Sequence, residues 1–122
     1  MAVEGAFRAG IEAKDMDSVV ALLADDVVFH SPVVFAEYRG RDAVAPILYG
    51  VATVLEDFRY TAEYSSDDGH VLAFSARVGD RALDGVDILR VIAGEIVEFT
   101  VMVRPYSAAT ALRERMAALL AG

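Results

Sequence analysis

An α+β fold, in which a strongly curved antiparallel or mixed sheet wraps around a long helix, follows from three observations in this chain of 122 residues. Helical periodicity dominates the first part of the chain and its end, while long period-two runs lie between them. Helices and strands are thus segregated rather than alternating, which is the α+β pattern. The stretch Leu83 to Pro105, LDGVDILRVIAGEIVEFTVMVRP, reads as two long strands joined at Ala93-Gly94, since a short Gly-containing turn between apolar runs signals a hairpin. Centred there, Val91 faces Ile96, Leu89 faces Glu98 and Asp87 faces Thr100. One face then carries Leu83, Asp87, Leu89, Ile96, Thr100, Met102 and Arg104. The other carries Val86, Ile88, Val97, Phe99, Val101 and Val103. Both faces are largely apolar and both are expected to be covered.

The elements follow in order. Val3 to Lys14 is a helix with Val3, Phe7 and Ile11 on one side. Its glycines weaken it by about 1 kcal/mol each, so packing must hold it, through close approach at Gly10. Asp17 is the expected N-cap of a short second helix carrying Val19, Val20, Leu22 and Leu23. Asp25-Asp26 reads as a turn into the strand Val27 to Ser31, which Pro32 ends. Val33 to Gly40 is too apolar for an idle loop and is expected to fold over something. Asp42 can cap the next helix, whose Val44, Ile47, Leu48, Val51, Val54 and Leu55 form a wide stripe suited to lying on a sheet. Phe58 to Tyr64 and His70 to Val78 alternate as strands, the second with His70, Leu72, Phe74, Ala76 and Val78 on one face. Pro105 breaks the sheet, and Ser107 to Leu120 is helical. A single domain over residues 1–122 is expected, enclosing a cone whose open end is a natural ligand pocket.

Composition narrows the function. Hydrophobic residues make up 56% of the chain, so it is expected to bury a core. The absence of cysteine rules out disulfides, thiolate metal sites and a cysteine nucleophile, and only two histidines are present. No metal and no cofactor are expected. With 19 acidic against 11 basic residues, the net charge of -8 disfavours nucleic acid as a partner. No apolar run is long enough for a membrane span, and the N-terminus lacks a signal-peptide pattern, so a cytoplasmic location is expected.

The run Asp17 to Pro32, DSVVALLADDVVFHSP, followed by Arg39-Gly40-Arg41-Asp42-Ala43 and later by GVDILRVIAGEIVEF, resembles the SnoaL-like branch of the nuclear-transport-factor-two-like superfamily. The resemblance implies a cone-shaped, cystatin-like roll and homodimerisation through the outer sheet face, here by Val86, Ile88, Phe99 and Val101. Its activities range over isomerases, cyclases, epoxide hydrolases and dehydratases, and fold does not fix function. Of the ketosteroid isomerase residues, the helix-one tyrosine falls at about Phe7 and the general-base aspartate at Ser31, so neither is kept. The oxyanion-hole aspartate has a match at Asp87. The paired aspartates of limonene-type epoxide hydrolases are not evident, since position 100 is threonine.

Asp87 is the leading candidate for chemistry, because a carboxyl in an apolar pocket is held toward its neutral form and can donate or accept a proton. The alternative is a carboxylate paired with Arg104. His30 is either a general base or a core histidine. It forms an acid–base pair with Asp87 only if strand parity brings both to one cavity. Phe29, Ser31, Tyr49, Tyr60, Phe74, Leu89, Thr100 and Met102 are the expected pocket walls and ligand contacts. Three readings stand: a protein that binds a small apolar molecule, a cofactor-free isomerase, dehydratase or cyclase, and a dimerising module without catalysis.

Overall fold

The computed structural model describes residues 2–121. Helices α1 (Val3–Glu12) and α2 (Met16–Ala21) lead into strand β1 (Leu23–His30), the short β2 (Tyr38–Arg39) and the long helix α3 (Arg41–Val54). Strands β3 (Glu56–Ser65), β4 (Gly69–Val78), β5 (Arg81–Ile92) and β6 (Glu95–Arg104) follow, then helix α4 (Tyr106–Ala121). All strands form one six-stranded sheet in the order β2-β1-β6-β5-β4-β3. The pairing is antiparallel except for β1 with β6, which is parallel. The expected α+β fold with a mixed curved sheet is therefore the observed one.

The helices cover the concave face. Gly10 lets α1 press on α2, for a Cβ there would meet Val19 Cγ2 at 2.7 Å. Phe7, with no exposed surface, packs edge-on against Phe99 at 5.3 Å between ring centroids, and Phe99 packs the same way on Phe29 at 5.2 Å. Strand β4 sends His70, Leu72, Phe74, Ala76 and Val78 into this core, as its alternation predicts.

Several local expectations need correction. Asp15, not Asp17, caps α2: its carboxylate accepts from the Ser18 amide at 3.3 Å and from the Ser18 hydroxyl at 2.6 Å. Gly40, not Asp42, caps α3, because the chain turns there at φ 94°, a conformation open to glycine and costly for other residues. Asp25 and Asp26 lie within β1, where pairing with β6 is interrupted and both side chains reach water, rather than in a turn before it. The segment from Val33 to Gly40 contributes β2 to the sheet edge and does fold over α3 and α4 through Val33, Val34 and Tyr38, whereas Phe35 points fully into solvent.

The largest correction concerns the central hairpin. Ala93 and Gly94 both have positive φ, 54° and 79°, which suits a tight hairpin turn between Ile92 and Glu95. Val91 faces Ile96 as expected, but Arg90 already faces Glu98, so Val97 is an extra residue on β6. Such a bulge shifts the register by one and turns every later side chain to the other face. Asp87 therefore faces Val101, and Thr100 faces Ile88. Phe99 and Val101 lie inside the cone and are not on the outer face, where Val86, Ile88, Thr100 and Met102 now lie together.

Candidate functional site

The concave face of the sheet is closed over by α1, α3 and α4 around a partly open cavity of about 80 Å³. Its walls include Phe29, Phe74, Phe99, Val101, Val103 and Leu112, and among the described residues Asp87 is the one carboxyl on them. Lys14, two residues beyond α1 and in a left-handed conformation (φ 56°), stands at the rim.

Asp87 comes to the cavity through two strand registers. It lies on β5 beside Leu72 of β4 and Val101 of β6, all directed inward. Two residues earlier, Gly85 lies under Phe74: a Cβ at Gly85 would sit 2.5 Å from Phe74 Cζ and 2.6 Å from the Met102 carbonyl oxygen. The missing side chain lets the Phe74 ring lie across β5. Phe74 stacks on Phe58 at 4.8 Å, and the Tyr60 ring meets Phe58 edge-on at 4.9 Å. Tyr60 reaches from β3 across β4, and its hydroxyl donates to Asp87 Oδ2 at 2.7 Å. Asp87 Oδ1 accepts no hydrogen bond from any described residue.

The electrostatics follow from this burial. Only 5% of Asp87 is exposed. Loss of hydration pushes its pKa up to about 7, with the Tyr60 hydrogen bond pulling weakly the other way. The Tyr60 phenol is pushed above its ordinary value, first by burial and then by the neighbouring Asp87 charge. Near neutral pH both forms of Asp87 are populated, so the group can donate to a carbonyl or accept a proton without leaving its site.

Of the residues singled out from the sequence, Asp87, Phe29 and Phe74 line the cavity. Tyr60 acts on it through Asp87, and Leu89 is fully buried beside Phe99 without reaching the cavity. His30 faces the other way: it neighbours Thr100 on the convex face and bonds Glu98 through Nε2 at 2.7 Å, so no His30–Asp87 pair exists. Thr100 and Met102 are carried to that convex face by the Val97 bulge, and Met102 is 57% exposed. Arg104 goes with them and contacts Asp84 at 3.3 Å, so it cannot pair with Asp87. Tyr49 lies exposed on α3, where its hydroxyl donates to Asp17. Ser31 lines a separate groove, and its Oγ accepts from the Val33 amide at 3.1 Å. The reading from sequence missed Phe99, Val101, Val103, Leu112 and Lys14 as cavity residues. The β6 alternation Phe99-Val101-Val103 against Thr100-Met102-Arg104 carried a signal for the first three, since the more apolar set belongs inside.

Comparison with known proteins agrees with this architecture. The pattern of the SnoaL-like domain matches residues 3–99. A steroid delta-isomerase from Pseudomonas aeruginosa is 42% identical, with a TM-score of 0.94 over 98% of this chain and 89% of that one. A protein with a cystatin-like fold from Silicibacter pomeroyi is 33% identical, with a TM-score of 0.92 over 97% of this chain and 84% of that one. A Catenulispora acidiphila protein with a ketosteroid isomerase-like fold is 16% identical at a TM-score of 0.68 over 90% of each chain, a likeness of fold alone. No curated protein matches the chain by sequence. The chain belongs to the SnoaL-like domain family. Among the described residues no helix is long and apolar enough to cross a membrane.

Proposed function

We propose that this protein binds a compact, largely apolar molecule that sets a hydrogen-bonding group against Asp87. The observation that carries this reading is a buried carboxyl, its pKa raised to about 7, on the wall of an otherwise apolar cavity. At about 80 Å³ the cavity suits a compact group rather than a large ring system. Pockets for drug-sized ligands begin at about 300 Å³.

A second reading, proton-transfer catalysis, is favoured by the 42% identity to a protein described as a steroid delta-isomerase. Ionised Asp87 would take a proton from the carbon beside a bound carbonyl, the C–H electron pair passing to the carbonyl oxygen as an enolate. The same carboxyl would return the proton at the conjugated carbon. No other carboxyl among the described residues lines the cavity, and Lys14 stands only at its rim, which is why binding is placed first.

A thermal-shift panel of small ketones, aromatic polyketides, terpenoid epoxides and sterols tests the first reading. Ligand at 100 times its dissociation constant adds about 2.7 kcal/mol to stability. Compact carbonyl compounds are expected to raise the melting temperature, and Asp87→Asn to alter that response. A panel without any shift, or a hit bound equally by the variant, would overturn it. Deuterium uptake by a bound ketone in heavy water tests catalysis, and its absence would leave binding alone. We also infer a homodimer through the convex face around Val86, Ile88, Thr100 and Met102. A monomer by light scattering would sink that inference.

A further inference from the structure

We infer that a second concavity, the groove between α4, α3 and the segment after β1, holds the carboxylate end of an apolar, chain-like carboxylic acid whose tail extends toward Asp87. The groove has a volume of about 240 Å³. It shares Phe29, Pro32, Val51 and Leu112 with the wall of the Asp87 cavity, so the two spaces adjoin across those side chains. Together they reach the size at which ordinary ligand pockets begin, about 300 Å³.

Charge identifies the end group. The chain carries 19 acidic residues, yet among the described residues none lines the groove, and the one charged residue there is Arg113. Arg113 makes no ion pair with any described residue. Its neighbours one helical turn away, Ala109, Thr110, Met116 and Ala117, bear no charge that could engage it. An unpaired guanidinium at the lip of an apolar groove complements a carboxylate, which it can hold through two parallel hydrogen bonds. Ser31 lies on the same groove; its oxygen already accepts from the Val33 amide, which leaves its hydroxyl hydrogen free to donate. The groove wall supplied by α4 lies outside the segment that matches the family pattern, which ends at residue 99.

The tail's destination rests on the reading of the Asp87 cavity as a ligand site, whereas the head-group site does not. The test is titration of hexanoate, octanoate and decanoate, with octanol as the neutral analogue, against the full chain and its variants by calorimetry. Arg113 is exposed on a helix, so Arg113→Gln should fold normally. It is expected to weaken octanoate binding by about tenfold, the worth of a charge-assisted contact, and to leave octanol unchanged. Equal octanoate affinity in the variant, or no octanoate binding to the unaltered protein, would overturn the inference. Val103→Phe, which fills the Asp87 cavity and not the groove, is expected to weaken decanoate more than hexanoate. If Arg113→Gln weakens binding and Val103→Phe does not, the carboxylate site stands and the tail does not enter the cavity. If Val103→Phe alone weakens binding, the cavity reading stands and the carboxylate assignment fails.

Discussion

The two faces of the β5–β6 hairpin each carry a carboxyl group in a defined hydrogen bond, and the two differ in everything that follows. On the concave face Asp87 is 5% exposed, has one donor, Tyr60, and is shifted to a pKa of about 7. On the convex face Glu98 bonds His30 at 2.7 Å, but the two side chains are 44% and 31% exposed. Water then screens the interaction, and such pairs contribute about 0–1 kcal/mol. The two acids lie on adjacent strands of one hairpin, Asp87 on β5 and Glu98 on β6; burial, rather than residue type or partner, makes one of them a candidate for chemistry.

The sharpest test of that contrast is Asp87→Asn. A carboxyl raised from 3.8 to about 7 on folding binds its proton more tightly in the native than in the unfolded state. Stability is then full below the unfolded pKa, declines as pH rises through the interval between the two values, and is lowest above the folded one. The size of this term is up to about 4 kcal/mol. Asparagine keeps an acceptor for Tyr60 and cannot ionise. Urea unfolding is expected to show the variant more stable than the parent at about pH 8, with the advantage vanishing near pH 4. A constant difference at both values would mean that Asp87 is not held neutral by its surroundings.

Gly85→Ala probes how the concave side is built. Its Cβ would overlap Phe74 and the Met102 carbonyl, and the backbone oxygen cannot swing aside. A loss of about 1–3 kcal/mol is expected, the usual cost of overpacking. Tyr60→Phe removes the donor to Asp87 and should cost about 1–2 kcal/mol, more at alkaline than at acid pH. It should also raise the Asp87 pKa further, measurable by carbon-detected NMR of the carboxyl. On the convex side, Glu98→Gln is expected to change stability by less than about 1 kcal/mol, less still at high salt. A loss as large as that of Tyr60→Phe would erase the distinction between the faces.

Much of this architecture is legible in the chain itself. The period-two run from His70 to Val78 names its own inward face, and all five residues are buried. The Val44-Leu48-Val51 stripe places α3 on the sheet, and Asp87 stands out as an acid between apolar neighbours. These features are local: each depends on a spacing of two or of about 3.6 residues, which neighbouring positions suffice to express. The companions of Asp87 are not local. One extra residue, Val97, decides whether Thr100 and Met102 or Phe99, Val101 and Val103 meet the acid. The alternation of β6 favours Phe99, Val101 and Val103 inside, but a turn at Ala93-Gly94 without a bulge favours the other set, and nothing local decides between them. Tyr60 meets Asp87 only because Gly85 leaves room for Phe74 beside them, and His30 is turned away by the parity of its parallel pairing with β6. The amino-acid sequence by itself thus determined the elements, the class of fold and the acid at its centre. The tertiary structure alone decided what surrounds that acid, because register and bulges are settled by contacts between strands distant in the chain.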